Sequence, residues 1–260
     1  MSVLVFDIET IPDVLSARKL YNLHDLGDAE VADLMFAKQK EKNGSEFLPL
    51  HLQRIIVISA VFHNQSQVKV WSLGDQNASE KDIVTRFFDG IDKYTPTLVS
   101  WNGSAFDLPV LHYRALLNQV VAARYWEIGE HDQPFRWNNY LNRYHYRHLD
   151  VMDVLAAYNT RANAPLDEIA LMLGCPGKMG MHGSEVWQYY QQEKIEEIRN
   201  YCETDVLNTY LVYLRFECMR GHLTKDTYEE ICLQLKNYLK AEEKLHFNAF
   251  LEAWEGLPTP

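Results

Sequence analysis

Long hydrophobic runs are missing from this sequence of 260 residues. The longest apolar stretch, residues 55–62, is far shorter than the roughly 20 residues that a helix needs to cross a bilayer. The first residues also lack a basic leader and a small-residue cleavage site, so we expect no secretory signal. We therefore expect no membrane association and a cytoplasmic location.

Cysteine is scarce as well. The four cysteines, at positions 175, 202, 218 and 232, form no Cys-x-x-Cys pair and have no histidine at zinc-site spacing. This argues against a disulfide framework and against a structural zinc site. We expect reduced thiols that are mostly buried, as free cysteines usually are.

Basic residues are outnumbered, with 25 Lys and Arg against 36 Asp and Glu, which gives a net charge of −11. Since phosphate contacts normally come from Lys and Arg, this balance excludes a long basic groove as the main device for binding nucleic acid. It leaves room for an enzyme that holds a few terminal nucleotides through metal ions, because a bound cation can be the largest charge in its site.

Strand and helix patterns alternate along the chain, and 47% hydrophobic residues suffice for a packed core. Apolar runs predict strands at residues 3–6, 54–62, 68–71 and 97–101. Helical spacing predicts helices at residues 29–41, 79–91 with Ser79 as N-cap, 107–118, 166–173, 184–192, 195–218 and 225–254. The pattern indicates one α/β domain whose last 35 or so residues form a helical hairpin, with residues 13–53 as a surface insertion.

Residues 125–148 are unusually rich in aromatic, histidine and arginine side chains. This segment is too polar for a core and too aromatic for a simple linker. It fits either an ordered surface subdomain or a platform on which nucleobases stack beside an active site. Both interpretations stay open.

Two carboxylates follow the first predicted strand. Asp7 and Glu9 are two residues apart, which directs both side chains to one face of the sheet. Neighbouring acids repel each other and the pKa of one rises, unless a cation holds them. A strand that ends in solvent would give the same pattern, so this pair is weak evidence when taken alone.

Two further clusters carry acids on predicted framework elements. Asn102 follows a strand, and Asp107 falls in the first turn of the next helix, where the helix dipole favours its charge. A simple helix-start acid is the alternative for Asp107. Tyr201 and Asp205, four residues apart, share one helix face and can direct a phenol and a carboxylate into a common site.

Together the three clusters supply four carboxylates, which is the ligand type and number that two hard divalent cations need for an in-line phosphoryl displacement. They resemble the three exonuclease motifs of the DEDD superfamily, in the version with tyrosine in the third motif. The matching stretches are Phe6-Asp7-Ile8-Glu9-Thr10, Asn102-x-x-x-Phe106-Asp107 and Tyr201-x-x-x-Asp205.

The third motif, Tyr201-Cys202-x-x-Asp205, is most similar to that of the proofreading exonuclease domains of family-B DNA polymerases. Residues 48–51, 173–178 and 201–210 further resemble a stand-alone bacterial family of predicted exonucleases related to those domains. The resemblance covers most of the chain up to about residue 220. The second motif departs from the polymerase pattern, because three residues rather than two separate Asn102 from Phe106.

This resemblance implies a ribonuclease H-like fold of the α/β class, with a mixed central sheet flanked by helices and a helical C-terminal extension. We expect residues 1–222 to form the exonuclease domain and residues 223–260 to form the extension packed on it. It also implies two divalent metal ions, Mg²⁺ or Mn²⁺. Asp7, Glu9 and Asp205 would bind the first ion, and Asp7 with Asp107 would serve the second.

The resemblance implies roles for further residues. Tyr201 would orient the attacking water, because a phenol with an ordinary pKa of about 10 is a poor base at neutral pH. Asn102 and Phe106 would hold the terminal nucleotides, and Thr10 would contact the 3′ end through its backbone. Lys178 matches a lysine near the scissile phosphate in the polymerase domains, although a solvated lysine after a Pro-Gly turn explains it equally well.

Three other polar residues are weaker candidates. Asp150 and Asp153 could add to the metal site or could simply start a helix. His182 could contact phosphate, but an ordinary loop histidine is the better interpretation.

The implied activity is a 3′→5′ exonuclease that releases nucleoside 5′-monophosphates from the 3′ ends of single-stranded DNA. An RNA 3′-exonuclease stays open, since tyrosine-bearing DEDD enzymes include the ribonuclease D group and no residue visibly reads a 2′-hydroxyl. A catalytically silent nucleic-acid-binding module is the alternative from another class, although all four carboxylates are present. We expect any proofreading role to need a polymerase or repair partner in trans.

Overall fold

The computed structural model of the chain describes residues 2–64 and 67–257. Within these residues a five-stranded sheet has the order β3-β2-β1-β4-β5. Its strands are β1 Val3–Pro12, β2 Gln53–Asn64, β3 Gln67–Ser72, β4 Thr97–Ser100 and β5 His148–Asp150. β2 runs antiparallel to β1 and β3, whereas β4 is parallel to β1 and β5 is parallel to β4. The sheet is therefore mixed.

Helices cover both faces of this sheet. They are α1 Val14–Tyr21, α2 Asp28–Asn43, α3 Glu80–Tyr94, α4 Asp107–Asn118, α5 Val151–Leu155, α6 Leu166–Met172, α7 Val186–Gln191, α8 Ile195–Met219, α9 Lys225–Ala241 and α10 Leu245–Gly256. One apolar core joins the sheet to α3 and α4, and another joins it to α8, α9 and α10. The predicted α/β class, with a mixed central sheet flanked by helices, is confirmed.

β1 lies in the middle of the sheet because its side chains pack on both faces. Phe6 belongs to the core shared with α3 and α4, whereas Val5 belongs to the core shared with α8. The strand extends beyond its predicted end at residue 6 and includes Asp7 and Glu9. Because side chains alternate along a strand, both acids lie on the same face as Val5, towards α8.

The structure agrees with the helix signals that depend only on neighbouring residues in the sequence. Ser79 is the N-cap of α3 and accepts a hydrogen bond from the backbone of Asp82, while the Asp82 carboxylate accepts one from the backbone of Ser79. α4 has the predicted bounds. The short elements α1, α5 and β5 were not predicted, and residues 225–254 form a hairpin of α9 and α10 with a break at Glu243, where φ is +53°.

The predicted surface insertion, residues 13–53, folds mainly as α1 and α2. These helices surround a small apolar core of their own, formed by Val14, Ala17, Val31, Ala32, Met35, Leu48 and Leu52. Most of the other side chains of the segment are exposed. The segment is therefore a structured addition on the surface of the sheet domain.

The C-terminal hairpin is integrated into the core. Leu235 and Leu239 of α9 and Phe247 of α10 are completely buried in the cluster that contains α8. The Tyr238 hydroxyl donates to the carbonyl oxygen of Val70 in β3 and accepts from its N–H, both at 3.2 Å. The domain boundary between residues 222 and 223 stays a prediction. Among the described residues, no helix combines the length and apolarity needed to cross a membrane.

A buried ion cluster ties α4 to the rest of the domain. Arg114 donates to both carboxylate oxygens of Glu80, at 2.7 and 2.6 Å, and to Asp13. The backbone N–H of Ile55 also donates to Glu80, at 2.8 Å. A buried charge is tolerated only when it is paired and hydrogen-bonded. The cluster therefore fixes α4, and with it Asp107 in the first helical turn, relative to the central strands.

We predict that Arg114→Met strongly destabilises the protein, because it leaves two buried carboxylates without their partner. Removing one partner of a buried pair typically costs about 3–5 kcal/mol. Lys40→Met is the matched control, since Lys40 pairs with Glu46 in solvent and exposed pairs contribute little to stability. Urea unfolding followed by circular dichroism measures both free energies of unfolding. Similar losses in the two variants would contradict the assigned role of Arg114.

Candidate active site

A cleft of about 360 Å³ opens near the carboxyl ends of β1 and β4. Eight of the nine predicted site residues line it: Asp7, Glu9, Asn102, Phe106, Asp107, Lys178, Tyr201 and Asp205. Thr10 is the exception, and its hydroxyl donates to the Gln53 side chain at 2.9 Å. The contact of Thr10 with a 3′ end stays a prediction. The structure thus brings the three sequence clusters to one place.

Asp7 and Glu9 of β1 face helix α8, where the buried thiol of Cys202 contacts Asp7. Cys202 Sγ lies 3.6 Å from both the backbone oxygen and Oδ2 of Asp7. One ligand atom each from Asp7, Glu9 and Cys202 lie within 4.8 Å of one another. Asp107 and Asp205 line the same cleft but do not join this group within the described part of the chain.

The thiol does not behave as a ligand for a hard cation. Burial raises the pKa of Cys202 well above its usual value, and the charges of Asp7 and Glu9 raise it further. Cys202 therefore stays protonated and donates its S–H to Asp7. Hard divalent cations prefer oxygen ligands. The carboxylates are the candidate ligands of this cleft.

α8 supplies the third cluster as predicted. This helix of 25 residues is buried along most of its middle, so its orientation is fixed by packing against the sheet. Tyr201 and Asp205, one turn apart, are 5% and 7% exposed and both line the cleft. The spacing of one helical turn therefore has the predicted effect.

The loop after β4 is held in a strained but well-anchored form. Asn102 has a left-handed backbone with φ of +67°, a conformation that asparagine tolerates better than most residues. The Asp150 carboxylate accepts hydrogen bonds from the backbone N–H groups of Asn102 and Ser104, both at 2.9 Å. A side chain at Gly103 would overlap Ser100. Glycine at this position allows the loop, one residue longer than the polymerase pattern, to turn tightly into α4.

The weaker candidates do not line the acid cleft. Asp150 anchors the loop after β4, and Asp153 pairs with Arg143 through two hydrogen bonds of 2.8 and 2.6 Å. His182 is exposed, and its backbone N–H donates to Glu185 at the start of a helical turn. Their contacts favour the structural interpretation in each case.

Lys178 lies in a loop that α8 holds in place. The Asn208 side chain donates to the carbonyl oxygen of Gly177 at 2.7 Å and accepts from its N–H at 3.1 Å. Gly177 has φ of +71°, and a side chain there would collide with Asp167. The backbone N–H of Lys178 donates to Asp167, and Lys178 Nζ lies 5.9 Å from the ring centre of Tyr201. The backbone at Lys178 is therefore fixed, and its exposed side chain lines the cleft, while its contact with phosphate stays a prediction.

Burial raises the pKa of all four carboxyls. Burial raises the pKa of Asp7 well above its usual value, and the charges of Asp107 and Asp205 add to this effect. Burial also raises the pKa of Glu9 well above its usual value, and the charges of Asp7, Asp205 and Asp107 add to this effect. Burial raises the pKa of Asp107 to about 7 and that of Asp205 to about 6. Lys178 acts in the opposite direction on Asp7, Glu9 and Asp205, without cancelling the shift.

Two buried oxygens fit a cation site. Asp107 Oδ1 and Asp205 Oδ1 have no hydrogen-bond partner among the described residues. Buried polar atoms are rarely left unpartnered, so each such atom requires an explanation. A divalent cation would supply the missing partner and would remove the repulsion among the carboxylates. The donor set of the cleft therefore fits a metal ion of the oxygen-preferring class.

Two residues at or beside the cleft carry no functional signal in the sequence. Asp167 also lines the cleft, but in the sequence it looks like an ordinary acid in the first turn of a helix. Phe47 is 59% exposed and packs against Phe106, with 5.7 Å between the ring centres. It comes from a turn-rich segment after α2 in which a single phenylalanine gives no functional signal.

We predict that the metal-free protein loses stability as pH rises. The folded-state pKa values of about 7 for Asp107 and about 6 for Asp205 exceed the unfolded value of roughly 3.9. The folded state thus binds more protons over this interval, and its stability falls as pH rises through the folded pKa values. In EDTA, Tm should fall between about pH 5 and about pH 8.

The double variant Asp107→Asn with Asp205→Asn should reduce this dependence of Tm on pH, and Asp7 and Glu9 would account for the remainder. Asp89→Asn, which removes an exposed carboxylate of α3, is the matched control and should preserve it. Differential scanning fluorimetry measures all three proteins. A wild-type Tm that stays constant or rises over this range in EDTA would refute the prediction.

A comparison with known protein families finds one whose model matches most of this chain. A model of a family described as predicted 3′-5′ exonucleases related to the exonuclease domain of PolB matches residues 45–254. That region contains Asn102, Asp107, Tyr201 and Asp205 and begins after Asp7 and Glu9. No curated protein matches the chain at a significant level.

One similar solved structure is the family B DNA polymerase from the hyperthermophilic archaeon Pyrobaculum calidifontis. The two are 17% identical in sequence with a TM-score of 0.46, and the match covers 82% of this chain and 25% of the polymerase. The chain therefore spans about a quarter of the length of that polymerase.

Proposed function

Since the chain belongs to the family of predicted 3′-5′ exonucleases related to the exonuclease domain of PolB, we propose that it hydrolyses phosphodiester bonds at the 3′ ends of single-stranded DNA. The products are nucleoside 5′-monophosphates. The observation that carries this proposal is the single cleft lined by Asp7, Glu9, Asp107 and Asp205. The relation to a DNA polymerase domain is the reason for choosing DNA over RNA.

The carboxylates of the cleft would hold two divalent cations, Mg²⁺ or Mn²⁺. Asp7, Glu9 and Asp205 would bind one, and Asp7 with Asp107 would serve the other. The unpartnered oxygens of Asp107 and Asp205 support this assignment. When bound, such cations polarise the phosphate and lower the pKa of water.

Tyr201 is proposed to orient the attacking water. Burial raises the pKa of Tyr201 above its usual value, and the nearby charges of Asp205 and Glu9 raise it further. The phenol therefore stays protonated at neutral pH. It can position a water molecule by hydrogen bonding, but it does not accept the proton of that water.

The substrate would be held by the other residues of the cleft. Phe106 offers an aromatic surface to the terminal base, and Asn102 offers an amide beside it. Lys178 brings a positive charge to the cleft, where it can contact the phosphate. This single well-positioned lysine suits a chain with a net charge of −11, because only the terminal nucleotides need to be held.

We further propose that residues 1–222 form the catalytic domain and that residues 223–260 are an extension packed on it. The burial of α9 and α10 against α8 supports the second part. A cytoplasmic location, and a polymerase or repair partner in trans for any proofreading role, complete the proposal.

We predict that Asp7→Ala and Asp205→Asn each reduce exonuclease activity by at least about 100-fold, because each removes a ligand of the proposed cations. The purified proteins are incubated with Mn²⁺ or Mg²⁺ and with matched 5′-labelled single-stranded DNA and RNA. Wild type should give ladders that shorten by one nucleotide from the 3′ side. Asp89→Asn is the control and should behave as wild type. Equal degradation by all proteins would indicate a contaminating nuclease, and faster cutting of RNA would refute the choice of DNA.

We predict that Tyr201→Phe slows turnover by about 10- to 100-fold while Mn²⁺ affinity stays at the wild-type level. The reason is that the hydroxyl positions the water through one hydrogen bond and does not hold the cation. The loss of a hydrogen bond to a charged group costs about 1.5–3 kcal/mol, which is roughly 10- to 100-fold in rate. Single-turnover rates and isothermal titration with Mn²⁺ measure the two quantities. An unchanged rate would remove Tyr201 from the reaction, and a weakened affinity for Mn²⁺ would make it part of the metal site.

A further inference from the structure

A second cavity, of about 590 Å³, lies beside the acid cleft. It is enclosed by the outer side of α4, the segment of residues 125–143 and the start of α5. Asn102 and Met152 line both this cavity and the acid cleft, so the two spaces are adjacent. Its volume falls within the roughly 300–1,000 Å³ that is usual for sites that bind small molecules.

Three aromatic side chains, Tyr125, Trp126 and Tyr140, contribute to the lining of the cavity. The rings of Tyr125 and Tyr140 are buried and stacked, with 5.5 Å between their centres and 12° between their planes. Trp126 also lines the cavity but is 49% exposed, and its ring centre lies 4.9 Å from that of His112. Trp126 thus has a supported ring and a free aromatic surface, which is what a stacking ligand requires.

The lining carries no uncompensated charge among the described residues. Burial lowers the pKa of His112 and of His148 to about 4, so both are neutral at physiological pH. The guanidinium of Arg143 is paired with Asp153, and the Asp150 carboxylate accepts backbone N–H groups. A phosphate would find no free cation there, whereas a flat, neutral, hydrogen-bonding group fits.

We propose that this cavity binds one unpaired nucleobase of the strand whose 3′ end lies in the acid cleft, with Trp126 stacking on that base. The inference rests on the proposed function, because that function puts a nucleic acid strand next to Asn102 and Met152. Under this proposal, both interpretations of the segment of residues 125–148 apply. Tyr125 and Tyr140 give the segment its order, and Trp126 gives it a stacking surface.

A base in this cavity has to leave a double helix, since the cavity is formed by the protein on several sides. The pocket therefore gives a physical reason for acting on single strands. It would also hold the strand without an unpaired basic side chain among the described residues, in keeping with the acidic composition of the chain.

The first test compares Trp126→Ala with Trp137→Ala. Trp137 belongs to the same segment and is 78% exposed, but it does not line the cavity. For single-stranded DNA, KM of Trp126→Ala should rise about tenfold, the scale of one lost base–aromatic stack, with a much smaller change in kcat. Trp126→Phe should recover most of the affinity, and Trp137→Ala should match wild type. Equal KM values for Trp126→Ala and Trp137→Ala would overturn the proposal.

The second test locates the base without relying on hydrolysis. Single-stranded DNA carrying 5-iodouracil at successive positions is bound to the wild-type chain in Ca²⁺ and irradiated, and the cross-linked peptide is identified by mass spectrometry. Cross-links at Trp126 or Tyr140 from one position of the strand would support the pocket even if no nuclease activity were found. Cross-links confined to other peptides would overturn the pocket, even in a protein whose exonuclease activity is established by the loss seen in Asp7→Ala.

Discussion

Asp7, Glu9, Asp107 and Asp205 come from three separate parts of the chain and share one small cleft. Burial raises the pKa of each carboxyl, and neighbouring acids of the cleft raise that of Asp7 and Glu9 further. Buried acids this close together destabilise the folded state unless other interactions offset their desolvation and repulsion. In this protein a framework keeps the acids from moving apart, and a divalent cation bound in the cleft would offset their repulsion. The other features of the site follow from this arrangement.

The framework acts through polar contacts that lie just behind the cleft. Arg114 ties α4 to the central strands, Asp150 holds the loop that leads into α4, and Asn208 holds the loop of Lys178. None of these three residues lines the acid cleft. Each one fixes the backbone that carries a cleft residue. Such contacts preorganise a site, because a ligand that is held in place loses little entropy when it binds a metal ion.

The sequence was informative where the signal was local. Ser79 and the bounds of α4 followed from capping and helical spacing, and Tyr201 with Asp205 followed from one turn of a helix. The sequence does not predict β5, because this strand has only three residues. Its His148 is buried and hydrogen-bonded to Ser100, a contact between distant residues that no local pattern encodes.

Other features of the structure depend on contacts between distant parts of the chain. The break between α9 and α10 occurs at Glu243, which has a left-handed backbone without the glycine or asparagine that usually marks one. Asp167 reaches the cleft only through the packing of α6 on α8. The sequence therefore predicted the acids of the site better than it predicted their supports.

The contact of Tyr238 in the C-terminal hairpin with β3 affects how readily the protein associates at high concentration. β3 is an edge strand, and an unprotected edge offers backbone N–H and C=O groups that can template a strand from another molecule. The Tyr238 hydroxyl occupies both groups of Val70 in the middle of that edge. At the opposite border, β5 is too short to recruit a partner. The hairpin thus keeps the sheet from growing by intermolecular pairing, and a chain without it would be prone to aggregate through β3.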